Sequence, residues 1–308
     1  MKKEFNLKNL NSPKLPGILC IVCGVLTGVF SLNAILTYLA ELFSTVCIYA
    51  QMAYGVLSIE NFFNFIFDSS AYMSTLTNSI IVNLPSHLVS LTVGCLSALS
   101  FIIFGLLLLK GKISKLLLFF PALQLVLLVV DACKLALAAI SNIYNFFTIL
   151  FRGYAITSPN VMVYVSGAVS AISGLLPILL SIIGFALLAV LILTSCGKKA
   201  PVLNILTPVC IASAPALRIV YAVIGCLYSL FALLTRTGGY GTMSRFLYYT
   251  FNMLFNFGLP QAMLGIVDAL LSTVLSVAHH GIMAILLAVT FYLVAKAISA
   301  KQAPAEVK

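Results

Sequence analysis

One uninterrupted apolar stretch, residues 161–193, reads VMVYVSGAVSAISGLLPILLSIIGFALLAVLIL and contains no charged residue. About 20 apolar helical residues are enough to cross the hydrocarbon core of a bilayer. This stretch therefore predicts a membrane-spanning helix, and five others resemble it in length and character. The six predicted spans are Gly17–Leu42, His87–Leu109, Leu116–Ser141, Val161–Leu193, Val202–Leu233 and Gln261–Ala297.

The composition of the whole chain agrees with this interpretation. Of 308 residues, 62% are hydrophobic and 8% are charged, whereas soluble domains are about 45–50% apolar and 25% charged. The net charge of +10 is spread in short clusters between apolar stretches, which is typical of a membrane surface and not of a nucleic-acid-binding face. The spans do not alternate polar and apolar residues as barrel strands do. We expect an all-α integral membrane protein with the lipid bilayer as its surroundings and no nucleic-acid partner.

Lysine placement predicts the orientation. With six spans, the side opposite to the lysines receives only Arg152, Arg236 and Arg245. Basic residues in short loops stay in the cytoplasm. We therefore expect a multi-pass protein of the plasma membrane whose tails, 1–13 and 299–308, are both cytoplasmic. The lysines on the cytoplasmic side are Lys2, Lys3, Lys8, Lys14, Lys110, Lys112, Lys115, Lys198, Lys199, Lys296, Lys301 and Lys308.

The same pattern predicts an internal repeat within a single membrane domain. Short basic connections alternate with longer outer ones, giving three helix–loop–helix units at 14–110, 115–198 and 199–298. In each unit a lysine opens the first helix and a polar residue follows 19 positions later. These pairs are Lys14 with Asn33, Lys115 with Lys134, and Lys199 with Arg218.

Each predicted outer loop carries an aromatic cluster, at residues 61–67, 145–151 and 245–251. Aromatic rings mixed with polar residues suit the headgroup zone of a membrane. We expect short helices on the outer surface, or extensions of the spans into it. The apolar stretches 46–57 and 59–67 are each shorter than one crossing, so for segments 44–86 and 236–260 re-entrant and interfacial helices both stay open.

A few polar side chains interrupt the apolar spans. Ionisable groups in hydrocarbon cost several kcal/mol, so each one is a candidate functional residue. Since 19 helical residues rise about 28 Å, the polar residue of each repeat should lie at one level. Asp131 and Lys134 are three residues apart and can pair on one helix face, and Asp131 or Asp268 can serve as the counter-ion of Arg218. The candidate substrate-binding residues are Asn33, Asp131, Lys134, Arg218, His279 and His280.

Two alternatives remain open for these residues. They either line a polar cavity that binds a ligand, or they fasten helices together and extend toward the headgroups. Prolines mark where the helices can bend, because a proline frees a backbone carbonyl within the helix. The predicted kinks are at Pro177 in the fourth span and at Pro208 and Pro215 in the fifth.

Several kinds of chemistry have no signature in this sequence. Adjacent helical residues point about 100° apart, so His279 and His280 do not form a metal site. The cysteines lie mostly in apolar stretches and are expected to pack as small hydrophobes. Phosphate-binding GxxxxGK[ST], HExxH and GxSxG motifs are missing. We expect neither enzymatic activity nor a cofactor or metal.

Two functional hypotheses follow. The first is a transporter or permease that works without ATP on a small solute, for which the cations suggest an anion. The second is an accessory, assembly or scaffold protein whose aromatic outer loops contact a membrane protein partner or lipid. The identity of the solute or partner and the oligomeric state do not follow from the sequence.

Overall fold

The computed structural model describes residues 14–68, 70–110, 115–153, 159–193, 200–234, 242–255 and 261–302. These residues are helical almost throughout, and no strand occurs among them. The helices are α1 (Leu15–Ser31), α2 (Asn33–Tyr54), α3 (Ile59–Asp68), α4 (Ser70–Leu109), α5 (Phe119–Phe151), α6 (Pro159–Leu193), α7 (Ala200–Leu234), α8 (Thr242–Phe255) and α9 (Gln261–Gln302).

Six segments of the described chain are long and apolar enough to cross a membrane. Their number agrees with the prediction, so the described chain is all-helical and has, by length and composition, the six helices expected of a multi-pass membrane protein. The first segment is longer than predicted, because α2 follows α1 after a single turn residue, Leu32, and continues to Tyr54. The segments are Leu15–Tyr54, Leu84–Leu109, Leu116–Phe151, Tyr164–Leu193, Val202–Leu230 and Met263–Ile298.

The chain divides into two compact units. Unit 1 comprises Met1–Gly28, Leu96–Tyr221 and Val277–Lys308, and unit 2 comprises Val29–Cys95 and Ala222–Ser276. The boundaries fall inside α1, α4, α7 and α9, so they do not coincide with the three sequence repeats. The threefold repeat stays a prediction.

In unit 1, glycines bring α1 and α4 into backbone contact. A Cβ atom at Gly17 would lie 2.7 Å from the carbonyl oxygen of Gly105, and one at Gly105 would lie 2.6 Å from the carbonyl oxygen of Gly17. At Gly24 the nearest atom would be the carbonyl oxygen of Ala98, at 2.8 Å. Small residues allow helices in membranes to approach closely and gain van der Waals contact. The α1–α4 pair depends on these positions.

Side-chain contacts link the other helices of unit 1. The Sγ of Cys23 on α1 lies 3.7 Å from the Oγ1 of Thr290 on α9. Helix α6 meets α7 closely, since a Cβ at Gly184 would lie 2.9 Å from the backbone nitrogen of Ile211. Helices α5 and α6 pack extensively against each other, and Gly167 accommodates the side chain of Asn142.

A layer of phenylalanines, which we call the aromatic layer, fills the core of unit 1. It comprises Phe101 and Phe104 of α4, Phe120 of α5, Phe185 of α6 and Phe291 of α9, and all five are buried. The ring of Phe120 lies at the centre: its centroid is 4.9 Å from that of Phe101, 4.3 Å from that of Phe104 and 5.6 Å from that of Phe185. Each such ring pair contributes about 0.5–1.5 kcal/mol beyond area burial. Four helices are thus held together at this layer.

In unit 2, α2, α3 and α8 share a smaller core. Gly55, at a φ of 76°, ends α2, and Ser58 accepts a hydrogen bond through its Oγ from the backbone N–H of Asn61 at the start of α3 (3.1 Å). The ring of Phe43 on α2 lies between Phe62 of α3 and Phe246 of α8, with centroid distances of 5.5 and 5.1 Å. The first and third aromatic clusters are therefore on separate short helices, whereas the second is on the last turns of α5.

Candidate functional site

On α7, the residue that follows the buried stripe is an arginine. Thr207, Ile211 and Ala214 are buried at spacings of four and three residues, and Arg218 comes four residues later on the same face. Arg218 is nevertheless exposed. Since successive helical residues are about 100° apart, Arg218 points about 160° away from the mean direction of the large apolar residues exposed on this helix. Those exposed residues are Val202, Ile205, Leu206, Val209, Val220, Val223, Ile224, Leu227 and Tyr228.

Helix α5 follows the same course. Phe120, Gln124 and Leu127 are buried along one face, and Asp131 continues that face four residues later. The carboxyl of Asp131 is half-buried, and Lys134, one turn further on, is exposed. The mean direction of the large apolar residues exposed on α5 lies about 160° from Asp131 around the helix. They are Phe119, Val126, Val129, Val130, Leu137, Ile140, Ile143, Tyr144, Phe147 and Phe151.

On α9, a histidine occupies the corresponding position. On this helix Val294, Phe291 and Leu287 are buried. His280 lies on the same face two turns before Leu287 in the chain and is half-buried. The ring of His279 stacks on that of His280, with centroids 4.5 Å apart and an interplanar angle of 22°. In all three helices, the core-facing stripe changes from buried and mostly apolar to polar and more exposed.

These side chains interact electrostatically across the helices. Arg218 attracts Asp131 of α5, and both His279 and His280 of α9 lie within the field of its guanidinium. Asp131 attracts Lys134 as well. No nitrogen of Arg218 lies within 4.0 Å of an oxygen of Asp131, so the attraction does not involve a direct ion-pair contact. We call these five residues the polar cluster.

Electrostatic interactions thus link five of the six predicted site residues. The sixth, Asn33, is the first residue of α2, belongs to unit 2 and is exposed. Asp268 is also in unit 2 and is half-buried. Asp131 attracts Arg218, whereas a role of Asp268 as counter-ion stays a prediction.

The prolines do not interrupt the helices that contain them. Helix α6 stays helical through Pro177, and α7 stays helical through Pro208 and Pro215. Pro215 has no N–H to donate to the carbonyl of Ile211 one turn earlier. The segment of α7 just before Arg218 therefore has fewer backbone hydrogen bonds than an ordinary helix.

One polar group that the sequence analysis missed lies one turn from the aromatic layer. The amide nitrogen Nε2 of Gln124 donates to the Oγ of Ser100 at 2.7 Å and to the Oγ of Ser97 at 3.0 Å. Gln124 and Ser100 are buried. The sequence does show an amide residue inside an apolar span. The hydrogen-bond partners of Gln124 lie 24 and 27 residues away, and helical periodicity cannot predict them.

The described residues contain no group of three or more His, Cys, Asp or Glu side chains that could hold a metal ion. Cys20 and Cys23 are fully buried in the core of unit 1. No family model, curated protein or solved structure matches the chain. The assignment of function therefore depends on the chemistry of the polar cluster.

Proposed function

We propose that the protein is a transporter or permease that moves a small solute without ATP, and that Arg218 and Lys134 contact this solute. One observation carries the proposal. Arg218 is exposed on the core-facing side of α7, opposite the apolar face, and attracts Asp131 of another helix. An arginine that only extended to headgroups would leave the helix on its outer face. A charged group that faces the bundle interior of a membrane protein marks a ligand pathway or an internal pair.

The aromatic layer supports the same proposal. Along α5 and α9, the core-facing residues are almost fully buried at Phe120 and Phe291 and become partly exposed at Asp131 and His280. This gradient fits a site that opens to one side and is closed on the other. A transporter needs such a closed layer, because alternating access requires that the two sides are never open together.

Helix α7 is our proposed moving element. It carries Arg218, and two prolines precede that residue within the same helix. A helix with missing backbone hydrogen bonds bends at lower cost than a regular one. We propose that bending of α7 moves Arg218 between the two access states, with Asp131 as counter-ion or proton carrier.

The test is uptake by the purified protein in liposomes. We expect Arg218→Gln to abolish uptake while leaving the amount of folded protein unchanged. Arg152→Gln is the matched control, because Arg152 is an exposed cation at the C-terminal end of α5, outside the polar cluster. The proposal is wrong if Arg218→Gln transports normally. It is also wrong if Arg218→Gln does not fold but Arg218→Lys folds and transports as much solute as the original protein.

A second function is favoured by α3. One face of this helix packs on α2, whereas Phe63 and Phe67 on another face are 50% and 78% exposed and stack at 6.3 Å. Exposed aromatic residues of this kind suit contact with lipid or with a partner protein. An accessory or scaffold role predicts a stoichiometric protein that co-purifies in mild detergent and is lost in Phe67→Ser. A monomer without a partner would contradict it.

We also propose a plasma-membrane location with both termini in the cytoplasm and three hairpin repeats. The support is the distribution of lysines along the chain, since short basic loops remain cytoplasmic. Labelling of single introduced cysteines in intact cells tests this orientation. Residues 2 and 301 should be protected from an impermeant reagent, and residue 152 should react.

A further inference from the structure

A carboxylate of α2 and an imidazole of α4 meet within unit 2. The Nε2 atom of His87 lies 3.3 Å from the Oε2 atom of Glu41. Tyr38 precedes Glu41 by three residues and therefore lies on the same face of α2, and its ring centroid is 5.3 Å from that of His87. Two side chains of α2 thus contact one imidazole of α4.

This contact is accessible and lies in apolar surroundings. The side chain of His87 is 20% exposed and that of Glu41 is 38% exposed, so neither group is sealed in a core. Both residues belong to segments that are long and apolar enough to cross a membrane, and the neighbouring Leu39 and Leu88 are exposed apolar side chains. A charge in such a segment is costly unless a second charge compensates it.

The number of bound protons sets the charge of this pair. With an ionised Glu41 and a neutral His87, the pair carries one negative charge. With a protonated His87 it carries none, and the contact becomes an ion pair with a charge-assisted hydrogen bond. Histidine is the side chain that ordinarily changes its charge between pH 5 and pH 8. A single proton can therefore neutralise the pair within the physiological range.

We infer that Glu41 and His87 form a proton-binding site, and that the bound proton strengthens the contact between α2 and α4. The proton comes from hydronium, which leaves as water. It adds to the neutral imidazole, so that both ring nitrogens carry a hydrogen and Nε2 donates to Oε2 of Glu41. The inference goes beyond the proposed function and does not depend on transport, because the pair belongs to unit 2 and Arg218 belongs to unit 1.

The helices that pack on α2 do so on a different face. Helices α3 and α8 contact α2 through Phe43, whose ring meets those of Phe62 and Phe246, and Phe43 points about 160° away from Glu41 around the helix. Glu41 is thus the acid in contact with the imidazole. The ionisable residues on these two helices are Glu60, Asp68, Arg245, Tyr248 and Tyr249, and Tyr228 of α7 and Asp268 of α9 belong to the same unit.

Fluorescence of a single tryptophan tests the inference directly. The sequence contains no tryptophan, so Tyr38→Trp places the sole indole of the protein beside His87. A protonated imidazole is attracted to the face of an indole ring and quenches its fluorescence. For full-length Tyr38→Trp in detergent, we expect the emission to fall in a one-proton transition as the pH is lowered from 8 to 5. Tyr54→Trp is the matched control on α2, about 20 Å beyond Glu41, and its emission should stay constant.

Two further substitutions in Tyr38→Trp assign the transition to this pair. His87→Gln should abolish it. Glu41→Gln should weaken proton binding by about threefold or more, because the carboxylate no longer compensates the charge of the imidazolium, and the transition should move to lower pH. The inference is overturned if Tyr38→Trp shows no transition, if the transition remains with His87→Gln, or if its midpoint is unchanged with Glu41→Gln.

A double-mutant cycle of Glu41→Ala and His87→Ala tests the same inference without tryptophan, and so decides it even where Tyr38→Trp does not fold. The coupling, expressed as a ratio of unfolding constants, should be about threefold or more larger at pH 5.5 than at pH 8.5. Equal coupling at the two pH values overturns the inference. Proton binding in a protein that takes up no solute would contradict the proposed function alone.

Discussion

The Nε2 atom of His87 lies 3.3 Å from the Oε2 atom of Glu41, and this contact joins α4 to α2 within unit 2. The ring of His87 also packs against that of Tyr38, with centroids 5.3 Å apart. Glu41 is an acidic residue in an apolar segment that is long enough to span a membrane. Such a residue needs a partner, and His87 provides one.

This contact predicts an energetic interaction between the two residues. In a double-mutant cycle of Glu41→Ala and His87→Ala, we expect a coupling of about 1 kcal/mol in the free energy of unfolding, because the pair is only partly buried. The measurement is unfolding in detergent micelles, followed by circular dichroism. Glu60→Ala is the control, since Glu60 is an exposed acid on α3. Additive effects of Glu41→Ala and His87→Ala would contradict the prediction.

The glycine contacts between α1 and α4 predict a position-specific effect of alanine. Gly105→Ala should destabilise the protein by about 1–3 kcal/mol, because the new Cβ would press on the carbonyl oxygen of Gly17. Gly28→Ala is the matched control on α1: its nearest neighbour would be the Cβ of Ala98, at an ordinary 3.5 Å. There we expect no loss and a gain of up to about 0.5–1 kcal/mol from helix propensity. Equal changes in stability for Gly105→Ala and Gly28→Ala would contradict the close contact between α1 and α4.

The buried amide of Gln124 predicts a large cost of truncation. Gln124→Ala removes the hydrogen bonds to Ser97 and Ser100 and leaves space beside the aromatic layer. We expect a loss of about 2–4 kcal/mol, the sum of unsatisfied polar groups and a cavity. Thermal unfolding in detergent provides the measurement. Thr92→Ala, an exposed residue that bonds to its own helix, should change stability by less than about 0.5 kcal/mol.

Tyr249 on α8 predicts a dependence of stability on alkaline pH. Burial raises the pKa of this phenol, and the neighbouring Tyr248 and Cys47 raise it further, whereas Arg245 lowers it. The folded state therefore holds the phenol proton more tightly than the unfolded state, whose tyrosines titrate near pH 10. Stability is unaffected below that pH and falls as the pH rises from about 10 through the folded pKa.

The melting temperature measured between pH 8 and pH 11 tests this sign. Tyr249→Phe should flatten the alkaline decline, because the phenylalanine has no proton to lose. Tyr144→Phe is the comparison, since Tyr144 is an exposed tyrosine on α5. An equally steep decline in Tyr249→Phe would show that another group is responsible.

The number of helices long and apolar enough to cross a membrane was predictable because apolar length is a local property of the sequence. The first segment was predicted to end at Leu42, whereas the structure continues it to Tyr54. Nor did the sequence show that Glu41 in this segment would contact His87 of α4. Periodicity also indicated that Asp131 and Lys134 share a side of α5. Which helix faces which depends on close contacts such as Gly184 with Ile211, and these cannot be derived from one sequence.

The same limit applies to the aromatic clusters. Their composition predicted surface helices, and the structure places them on helical segments. The composition gave no indication that Phe246 of α8 would contact Phe43 of α2. The two residues are about 200 positions apart, and either ring could have contacted lipid instead. The partners of Gln124 were hidden for the same reason.

The aromatic layer has a kinetic consequence. The ring of Phe120 touches those of Phe101, Phe104, Phe185 and Phe291, so its neighbours come from three other helices. A closely packed interior rearranges between discrete arrangements and does not deform continuously. No single ring can therefore rotate far while the others stay in place. Passage of any molecule beyond these rings requires that they separate in one concerted, all-or-none step.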